Sequence, residues 1–200
     1  MAPRRYTMTR KTALAAETRA RIVEATLKLH GQNGIFGTSW KDIAAEADVS
    51  VGTVYKYFPS LDELVPACGE LLMERVQPPQ PSDITKILGD ATEPTERIHR
   101  VARELFAFYE RGGRHLDADL RERELQSVRD WEDYLRAMVA GFVAEALVAR
   151  SPEGAAVAKL AFLFDFQTFR ATRVRGLEPA DAARTSAEMA IAWLDSRPDL

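Results

Sequence analysis

The stretch VGTVYKY at positions 51–57 brings together side chains that suit contact with a nucleic-acid backbone and groove. Hydroxyl groups can donate to phosphate oxygens, an ammonium group adds positive charge, and a valine can contact a thymine methyl group. A glycine in the same stretch removes a side chain where a phosphate could approach the backbone. The residues to which we assign this chemistry are Val51, Gly52, Thr53, Tyr55, Lys56 and Tyr57.

Two short helices joined by a tight turn are predicted to position these side chains. Thr38 or Ser39 can cap the first helix, because both hydroxyls accept hydrogen bonds from the free N–H groups at a helix start. Asp48 and Val49 form the turn, since aspartate is one of the few residues that tolerate left-handed backbone. The apolar side of this first helix consists of Trp40, Ile43, Ala44 and Ala47.

The second short helix begins after Ser50, a good N-cap residue, and ends before Pro59. Val54 and Phe58 are four positions apart, so they share one face and are predicted to point inward. Two helices across a short turn have the geometry of a helix-turn-helix, here at 39–58, whose second helix enters the major groove of DNA. An ordinary helical hairpin with exposed aromatic side chains has the same spacing.

Charge is distributed unevenly along the chain. Residues 1–60 contain nine Lys or Arg and five Asp or Glu, a net charge of +4, whereas residues 61–200 carry a net charge of −7. Arg4, Arg5, Arg10 and Lys11 lie in a polar segment that we interpret as an N-terminal arm that binds DNA. The asymmetry favours a polyanion partner at one end of the protein. A chance imbalance of surface charge would give the same totals.

Hydrophobic periodicity predicts an all-α fold of about nine helices. No segment alternates with a period of two for long enough to predict a strand. QPPQPSD at 77–83 breaks the helical pattern and is predicted to be a linker, with one or two helical turns at Ser82–Leu88. The other predicted helices lie at about Glu17–His30, Leu61–Val76, Pro94–Arg111, Asp117–Glu124, Ser127–Ala149, Glu153–Arg175 and Pro179–Ser196.

Composition and motif content exclude several classes of protein. No run approaches the roughly 18 apolar residues of a membrane span, and no signal peptide opens the chain. Cys68 is the single cysteine, so no intrachain disulfide can form, which favours a cytoplasmic location. Cys68 could be a redox sensor or a packed thiol, and its apolar helix face favours the second. We find no cofactor motif, metal-ligand cluster or catalytic arrangement, and therefore predict no enzyme activity.

At residues 34–64 the chain strongly resembles the tetracycline-repressor (TetR) family. The resemblance implies a homodimer that binds a palindromic operator in double-stranded DNA, usually as a repressor that a small molecule releases. Thr38, Ser39, Lys41 and Ser50 join the candidate DNA-binding residues. The residues that match the family pattern are Gly34, Thr38, Ser39, Asp42, Ile43, Ala44, Ala47, Val49, Ser50, Gly52, Thr53, Tyr55, Tyr57, Phe58, Ser60, Glu63 and Leu64.

Two residues depart from the family's usual pattern. Asp48 stands where glycine is usual, which predicts a slightly strained turn. Leu61 stands where lysine is frequent, so one expected phosphate contact is missing, and the N-terminal arginines or Lys56 could compensate. The predicted domains are a DNA-binding domain at 1–60, a connecting helix at 61–76, and a ligand-binding and dimerisation domain at 77–200.

The C-terminal part contains aromatic side chains at helical spacing, which either line an effector pocket or fill a core. LAFLFDFQTF at 160–169 is apolar on nearly every side and predicts a helix buried all round. Asp165 and Gln167 within it could serve a pocket or a dimer interface. The resemblance implies that the last two helices form a four-helix dimer interface. The candidate ligand-binding residues are Phe106, Tyr109, His115, Trp131, Tyr134, Leu135, Met138, Phe142, Phe162, Phe166 and Phe169.

The leading hypothesis is a dimeric repressor that a hydrophobic or aromatic small molecule releases from its operator. The alternative from a different class is a helical small-molecule binder or enzyme with a degenerate DNA-binding domain. A third possibility is an activator, or a repressor without an effector. The sign of regulation depends on where the operator lies, so the sequence leaves these open.

Overall fold

A computed structural model describes residues 4–148 and 154–196, with side chains from residue 11 onward. Its described residues contain helices and no strand, so the predicted all-α fold class is confirmed. The α-helices are α1 (Arg4–Asn33), α2 (Trp40–Glu46), α3 (Val51–Tyr57), α4 (Leu61–Val76), α5 (Ile84–Leu88), α6 (Pro94–Gly112), α7 (Gln126–Ala146), α8 (Gly154–Ala161), α9 (Phe166–Val174) and α10 (Pro179–Asp195). None of these helices is both long and apolar enough to cross a membrane.

Helix α1 is longer than the sequence predicts. It is helical from Arg4, whereas the predicted helix begins at about Glu17. It also continues past the predicted end at His30, through Gly31, to Asn33. A glycine inside a helix costs only about 1 kcal/mol, which the burial of α1 side chains such as Ile22 outweighs. Gly34, with a φ of 77°, follows the helix in the left-handed conformation that ends many helices.

The chain forms two compact units. The first consists of Met1–Arg75 together with Ala118–Arg129, and the second of Val76–Asp117 together with Asp130–Leu200. The sequence-based division placed all residues after 77 in one C-terminal domain. The structure instead groups the short segment 118–129 with the N-terminal helices.

The core of the first unit is built by α1 to α4. Ile22, Ile43, Val54 and Leu64, one from each helix, are all at most 1% exposed. Cys68 on α4 is also buried, and its thiol faces the carbonyl oxygen of Val23 at 3.9 Å. Burial raises the pKa of Cys68 to about 12, so the group is a packed, neutral thiol.

In the second unit, α10 packs along α6. Four α6 residues at helical spacing, Ile98, Val101, Leu105 and Tyr109, are all buried and form the inward face of this helix. On α10 a face of small residues, Ala183, Ala187 and Ala190, is buried as well, and small side chains allow two helix backbones to come close. Helix α6 of the same chain is the main packing partner of α10.

The apolar run at 160–169 differs from its prediction as one continuous helix buried all round. The chain forms α8, a 3-10 turn at Phe162–Phe164 and then α9, with Asp165 between them in extended conformation. The Asp165 carboxylate accepts a hydrogen bond from the Thr168 N–H at 2.7 Å, so this residue caps α9. Phe162 is 59% exposed, and Gln167 is exposed too. An aspartate that caps a new helix start therefore overrides the apolar pattern.

The predicted helix at 117–124 is not an α-helix. The chain forms 3-10 turns at Gly113–Leu116 and Glu122–Glu124, with irregular backbone between them. Helix α7 follows and ends at Ala146, whereas the predicted end at Ala149 lies outside the described residues. Arg97 of α6 donates to the carbonyl oxygens of Glu145 and Ala146, which satisfies acceptors at the end of α7.

Candidate nucleic-acid interface

The start of α2 is fixed by a capping box. The Ser39 hydroxyl accepts a hydrogen bond from the Asp42 N–H at 3.2 Å, and the Asp42 carboxylate accepts from the Ser39 N–H at 3.2 Å. The Ser39 hydroxyl also donates to that carboxylate at 2.5 Å, and these bonds hold the pKa of Asp42 below its usual value. Thr38 does not cap α2 but donates to the Gly34 carbonyl oxygen at 2.9 Å.

The turn between α2 and α3 contains a left-handed aspartate. Asp48 has a φ of 51°, and the next residue, Val49, donates its N–H to the Ala44 carbonyl oxygen at 3.0 Å. Ser50 then caps α3 by accepting from the Thr53 N–H at 3.1 Å. The two hydroxyls of Ser50 and Thr53 also lie 2.8 Å apart, within hydrogen-bond distance. The local pattern read from the sequence therefore describes this turn correctly.

Helix α3 has a buried side and an exposed side. Val54 is fully buried and Phe58 is 2% exposed, which confirms the predicted inward pair. Val51, Gly52, Tyr55 and Lys56 are exposed, whereas Thr53 and Tyr57 are half-buried. The side of α3 that faces solvent thus carries most of the side chains that were assigned to DNA contact.

Trp40 is a feature of this surface that the sequence did not predict. It was assigned to the apolar side of α2, but it is half-buried and stacks on Tyr55 of α3. The ring centroids are 4.8 Å apart and the ring planes are inclined by 26°. The stack holds the phenol of Tyr55 on the exposed side of α3. The position of a tryptophan directly after the N-cap could have indicated this, because the first turn lies at the edge of a helical hairpin.

The structure describes the side chains of only some of the basic residues that the sequence assigned to DNA binding at the N-terminal end. Lys11 lies on α1 and is exposed, and Lys41 on α2 is exposed as well. The side chains of Arg4, Arg5 and Arg10 lie outside the described residues. Leu61, which stands where the resemblance implies a lysine, is the first residue of α4 and is half-buried.

Four of the candidate ligand-binding residues form one buried aromatic cluster in the second unit. Ring centroids lie 5.4 Å apart for Phe106 and Phe169, 5.6 Å for Tyr109 and Phe166, and 5.7 Å for Tyr109 and Phe169. The Tyr109 hydroxyl donates to the Phe164 carbonyl oxygen at 2.9 Å, and burial raises the pKa of Tyr109. These rings pack on one another as a core does.

The remaining ligand-binding candidates are dispersed. On α7, Leu135, Met138 and Phe142 are buried, whereas His115 and Phe162 are exposed and lie outside the aromatic cluster. Trp131 stacks on Tyr134 with 5.3 Å between ring centroids. The indole N–H of Trp131 is buried, and no acceptor for it exists among the described residues.

Residues 4–148 and 154–196 contain no group of three or more His, Cys, Asp or Glu side chains that could hold a metal ion. Glu122, in contrast, is a buried carboxylate of the first unit that no sequence signal indicated. It accepts a hydrogen bond from the Ile35 N–H in the loop before α2.

Comparison with known proteins finds a family model that is similar to the N-terminal helices. A family model described as bacterial regulatory proteins, tetR family, matches residues 22–68, which include α2, α3 and their capping residues. Residues 22–68 of this chain are therefore similar to tetR-family regulatory proteins. The matched range contains the turn at Asp48 and the exposed side of α3.

Curated relatives extend the similarity for part of the chain. The HTH-type transcriptional regulator HbdR of Aromatoleum sp. (strain CIB) is 29% identical over 142 residues, which cover 64% of this chain and 60% of that protein. The HTH-type transcriptional repressor KstR of Rhodococcus jostii (strain RHA1) is 40% identical over 60 residues, which cover 30% of this chain and 28% of that protein. The chain thus spans less than two thirds of the length of these relatives.

Solved structures share the fold of nearly the whole chain. The multidrug binding protein EbrR complexed with imidazole has a TM-score of 0.58 and 24% identity, over 86% of this chain and 93% of that one. A TetR-like transcriptional regulator from Rhodococcus sp. RHA1 has a TM-score of 0.61 and 20% identity, over 89% of this chain and 96% of that one. At these identities the likeness concerns the fold alone.

Proposed function

We propose that the chain is a sequence-specific DNA-binding transcriptional regulator that places α3 in the major groove of its operator. The observation that carries this proposal is the exposed side of α3, which contains Gly52, Tyr55 and Lys56. The opposite side is anchored in the core by Val54 and Phe58. Capping by Ser39 and Ser50 fixes both helices, so this surface exists before any partner binds. A rigid surface loses little conformational freedom on binding.

Gly52 supports the proposal because none of the residues that the structure describes requires a glycine there. Its φ is not in the left-handed region, and an added Cβ would contact only the Ser50 hydroxyl, at 3.9 Å. Glycine inside a helix costs about 1 kcal/mol relative to alanine. A residue that costs stability without a reason inside the molecule indicates a reason outside it. Close approach of a phosphate to the α3 backbone is such a reason.

The test begins with enrichment of bound sequences from random duplexes, followed by affinity measurements on the enriched operator. Gly52→Ala should stabilise the protein by about 0.5–1 kcal/mol and weaken operator binding on the order of tenfold, equivalent to about 1.4 kcal/mol. Gly69→Ala is the matched control, because Gly69 is also helical and has no atom within 4 Å of an added Cβ. It should be similarly stabilising and should leave operator affinity unchanged.

Lys56 provides a second readout of the same surface. Lys56→Ala should lower affinity for all duplexes and reduce the slope of log affinity against log salt by about 1, as expected when one phosphate contact is lost. The assignment of α3 is wrong if Gly52→Ala and Lys56→Ala both bind the operator as tightly as the parent. Failure of the parent to enrich any sequence would contradict the proposed function itself.

We further propose that the regulator is a homodimer and a repressor that a small hydrophobic or aromatic effector releases. Exposed apolar side chains of the second unit, Phe162, Val174 and Met189, support an interface with a second copy. Sedimentation should give twice the monomer mass, and the enriched operator should be palindromic, with half-sites about 34 Å apart or a multiple of that. A monomer bound to an asymmetric sequence would contradict this part of the proposal.

The effector proposal rests on the Trp131–Tyr134 pair. The buried indole N–H of Trp131 is a donor that an acceptor atom on an effector could satisfy. A panel of aromatic carbonyl compounds can be screened for release of the operator and for thermal stabilisation of the protein. Trp131→Phe should abolish the stabilisation by a compound that releases the operator. A compound that acts equally on the parent and on Trp131→Phe would place the effector elsewhere.

A further inference from the structure

Glu122 is a buried carboxylate in the first unit, at the start of the 3-10 turn Glu122–Glu124. It is 6% exposed, although glutamate is rarely buried unless its charge has partners. One carboxylate oxygen accepts a hydrogen bond from the Ile35 N–H at 2.5 Å, and the other accepts from the Asp119 N–H at 3.0 Å. The carboxylate therefore joins two segments that are 87 positions apart in the sequence.

The loop that Glu122 contacts leads directly into α2. Gly34 has a left-handed φ of 77°, and the Thr38 N–H donates to the Ile35 carbonyl oxygen at 3.3 Å. A second contact comes from the neighbour of Glu122, since the Arg121 guanidinium lies over the ring of Phe36 at 4.2 Å from its centroid. Segment 118–124 thus holds both the backbone and an aromatic side chain of this loop.

We propose that Glu122 is a positioning residue for DNA binding, because it fixes the loop from Gly34 to Gly37 that sets the start of α2. The inference rests on the proposed function. Hydrogen bonds to an ionised acceptor are roughly twice as strong as neutral ones, so the contact with the Ile35 N–H restrains the loop firmly. Segment 118–129 is joined at both ends to chain of the second unit. The affinity of the helix-turn-helix for DNA therefore depends on residues outside 22–68, the range that the family model matches.

The test compares Glu122→Gln with Glu124→Gln on the enriched operator. Both substitutions remove one negative charge from the same 3-10 turn, but the Glu124 side chain is exposed. Charge alone would strengthen binding of the DNA polyanion slightly in both variants. If Glu122 positions the loop, Glu122→Gln should instead weaken DNA binding, with about a tenfold loss of affinity for the operator. Affinity for a random duplex should fall less, because that binding needs no fixed orientation.

Two measurements distinguish positioning of the loop for DNA binding from a general contribution of Glu122 to folding. Affinities are measured at a temperature at which circular dichroism shows both variants to be fully folded. Hydrogen exchange of the Ile35 amide is measured without DNA, and it should be at least tenfold faster in Glu122→Gln than in Glu124→Gln. If Glu122→Gln does not fold, Phe36→Leu takes its place, because it removes the ring beneath the Arg121 guanidinium without changing the charge, and it should still weaken operator binding severalfold.

Each outcome of these measurements either supports or contradicts the role of Glu122 in positioning the loop for DNA binding. Equal operator affinity of Glu122→Gln and Glu124→Gln at full folding overturns the inference, as does unchanged binding by Phe36→Leu if that variant has to be used. A parent that enriches no sequence would remove the proposed function. The exchange rate of the Ile35 amide would then still decide whether Glu122 holds the loop.

Discussion

Gly34 provides a quantitative test of the contact between Glu122 and the loop before α2. A Cβ added at Gly34 would lie 2.9 Å from the Glu122 Oε1 atom, closer than real Cβ contacts allow. Gly34→Ala should therefore displace a carboxylate that is buried and holds two backbone N–H groups. The substitution also places alanine at a φ of 77°, in the left-handed region.

The expected destabilisation has two parts. Left-handed backbone costs an alanine roughly 1–2 kcal/mol, which is partly offset by about 0.4–1 kcal/mol because alanine has less freedom than glycine in the unfolded chain. Weakening hydrogen bonds to a buried charged group adds about 1.5–3 kcal/mol. We therefore expect Gly34→Ala to destabilise the first unit by about 2–4 kcal/mol in total.

Two controls separate these parts. In a Glu122→Ala background the carboxylate is gone, so Gly34→Ala should cost only the backbone part, about 1 kcal/mol. Gly176→Ala places alanine at a similar φ of 85° with no atom within 4 Å of the new Cβ, and it should also cost about 1 kcal/mol. The coupling free energy of Gly34→Ala and Glu122→Ala should then be about 1.5–3 kcal/mol.

Unfolding in urea can be followed for the first unit alone. Trp40 is its tryptophan, whereas Trp131 and Trp193 belong to the second unit and can be replaced by phenylalanine. Fluorescence of Trp40 then reports the free energy of unfolding of the unit that contains Gly34, and circular dichroism follows the Gly176 control. The reasoning is refuted if Gly34→Ala costs the same with and without the Glu122 side chain.

Three further predictions concern other contacts. Tyr109→Phe should destabilise the second unit by about 1–2 kcal/mol in urea unfolding, because the buried Phe164 carbonyl oxygen loses its donor, and an unchanged midpoint would contradict this. Trp40→Leu should weaken operator binding severalfold with about 0.5–1.5 kcal/mol less stability, since Tyr55 loses its stacking partner; equal affinity would show that the stack does not position Tyr55. Burial raises the pKa of Cys68 to about 12, so on the order of 10⁻⁴ of the thiol is ionised at pH 8. Disulfide reagents should therefore label Cys68 only as the protein unfolds, and rapid labelling of the folded protein would show that the thiol is not packed.

The candidate interface was largely predictable because its determinants are local. Caps, turns and helix faces depend on residues three or four positions apart, as for Ser50 with Thr53 and Val54 with Phe58. Trp40 is the exception. Its assignment to the apolar side of α2 followed the helical period, but its ring lies at the edge of the hairpin against Tyr55.

The predicted ligand-binding residues show the limit of periodicity more clearly. Spacing along a helix identifies a face but not the surface that faces it. Phe106 and Phe169 therefore meet in a buried cluster, whereas Phe162, in the same apolar run as Phe169, is exposed. The helix break at Asp165 separates them, and it depends on one cap that the surrounding apolar residues obscured.

The sequence by itself determined the all-α class, the two caps, the left-handed turn at Asp48 and the outward side of α3. Short-range hydrogen bonds and helical geometry are sufficient for these features, so the residues involved are near neighbours in the chain. Only the tertiary structure decided that α10 lies along α6 and that Glu122 holds the loop before α2. Both contacts join residues that are far apart in sequence, and a buried carboxylate gains its partners only when the chain has brought them together.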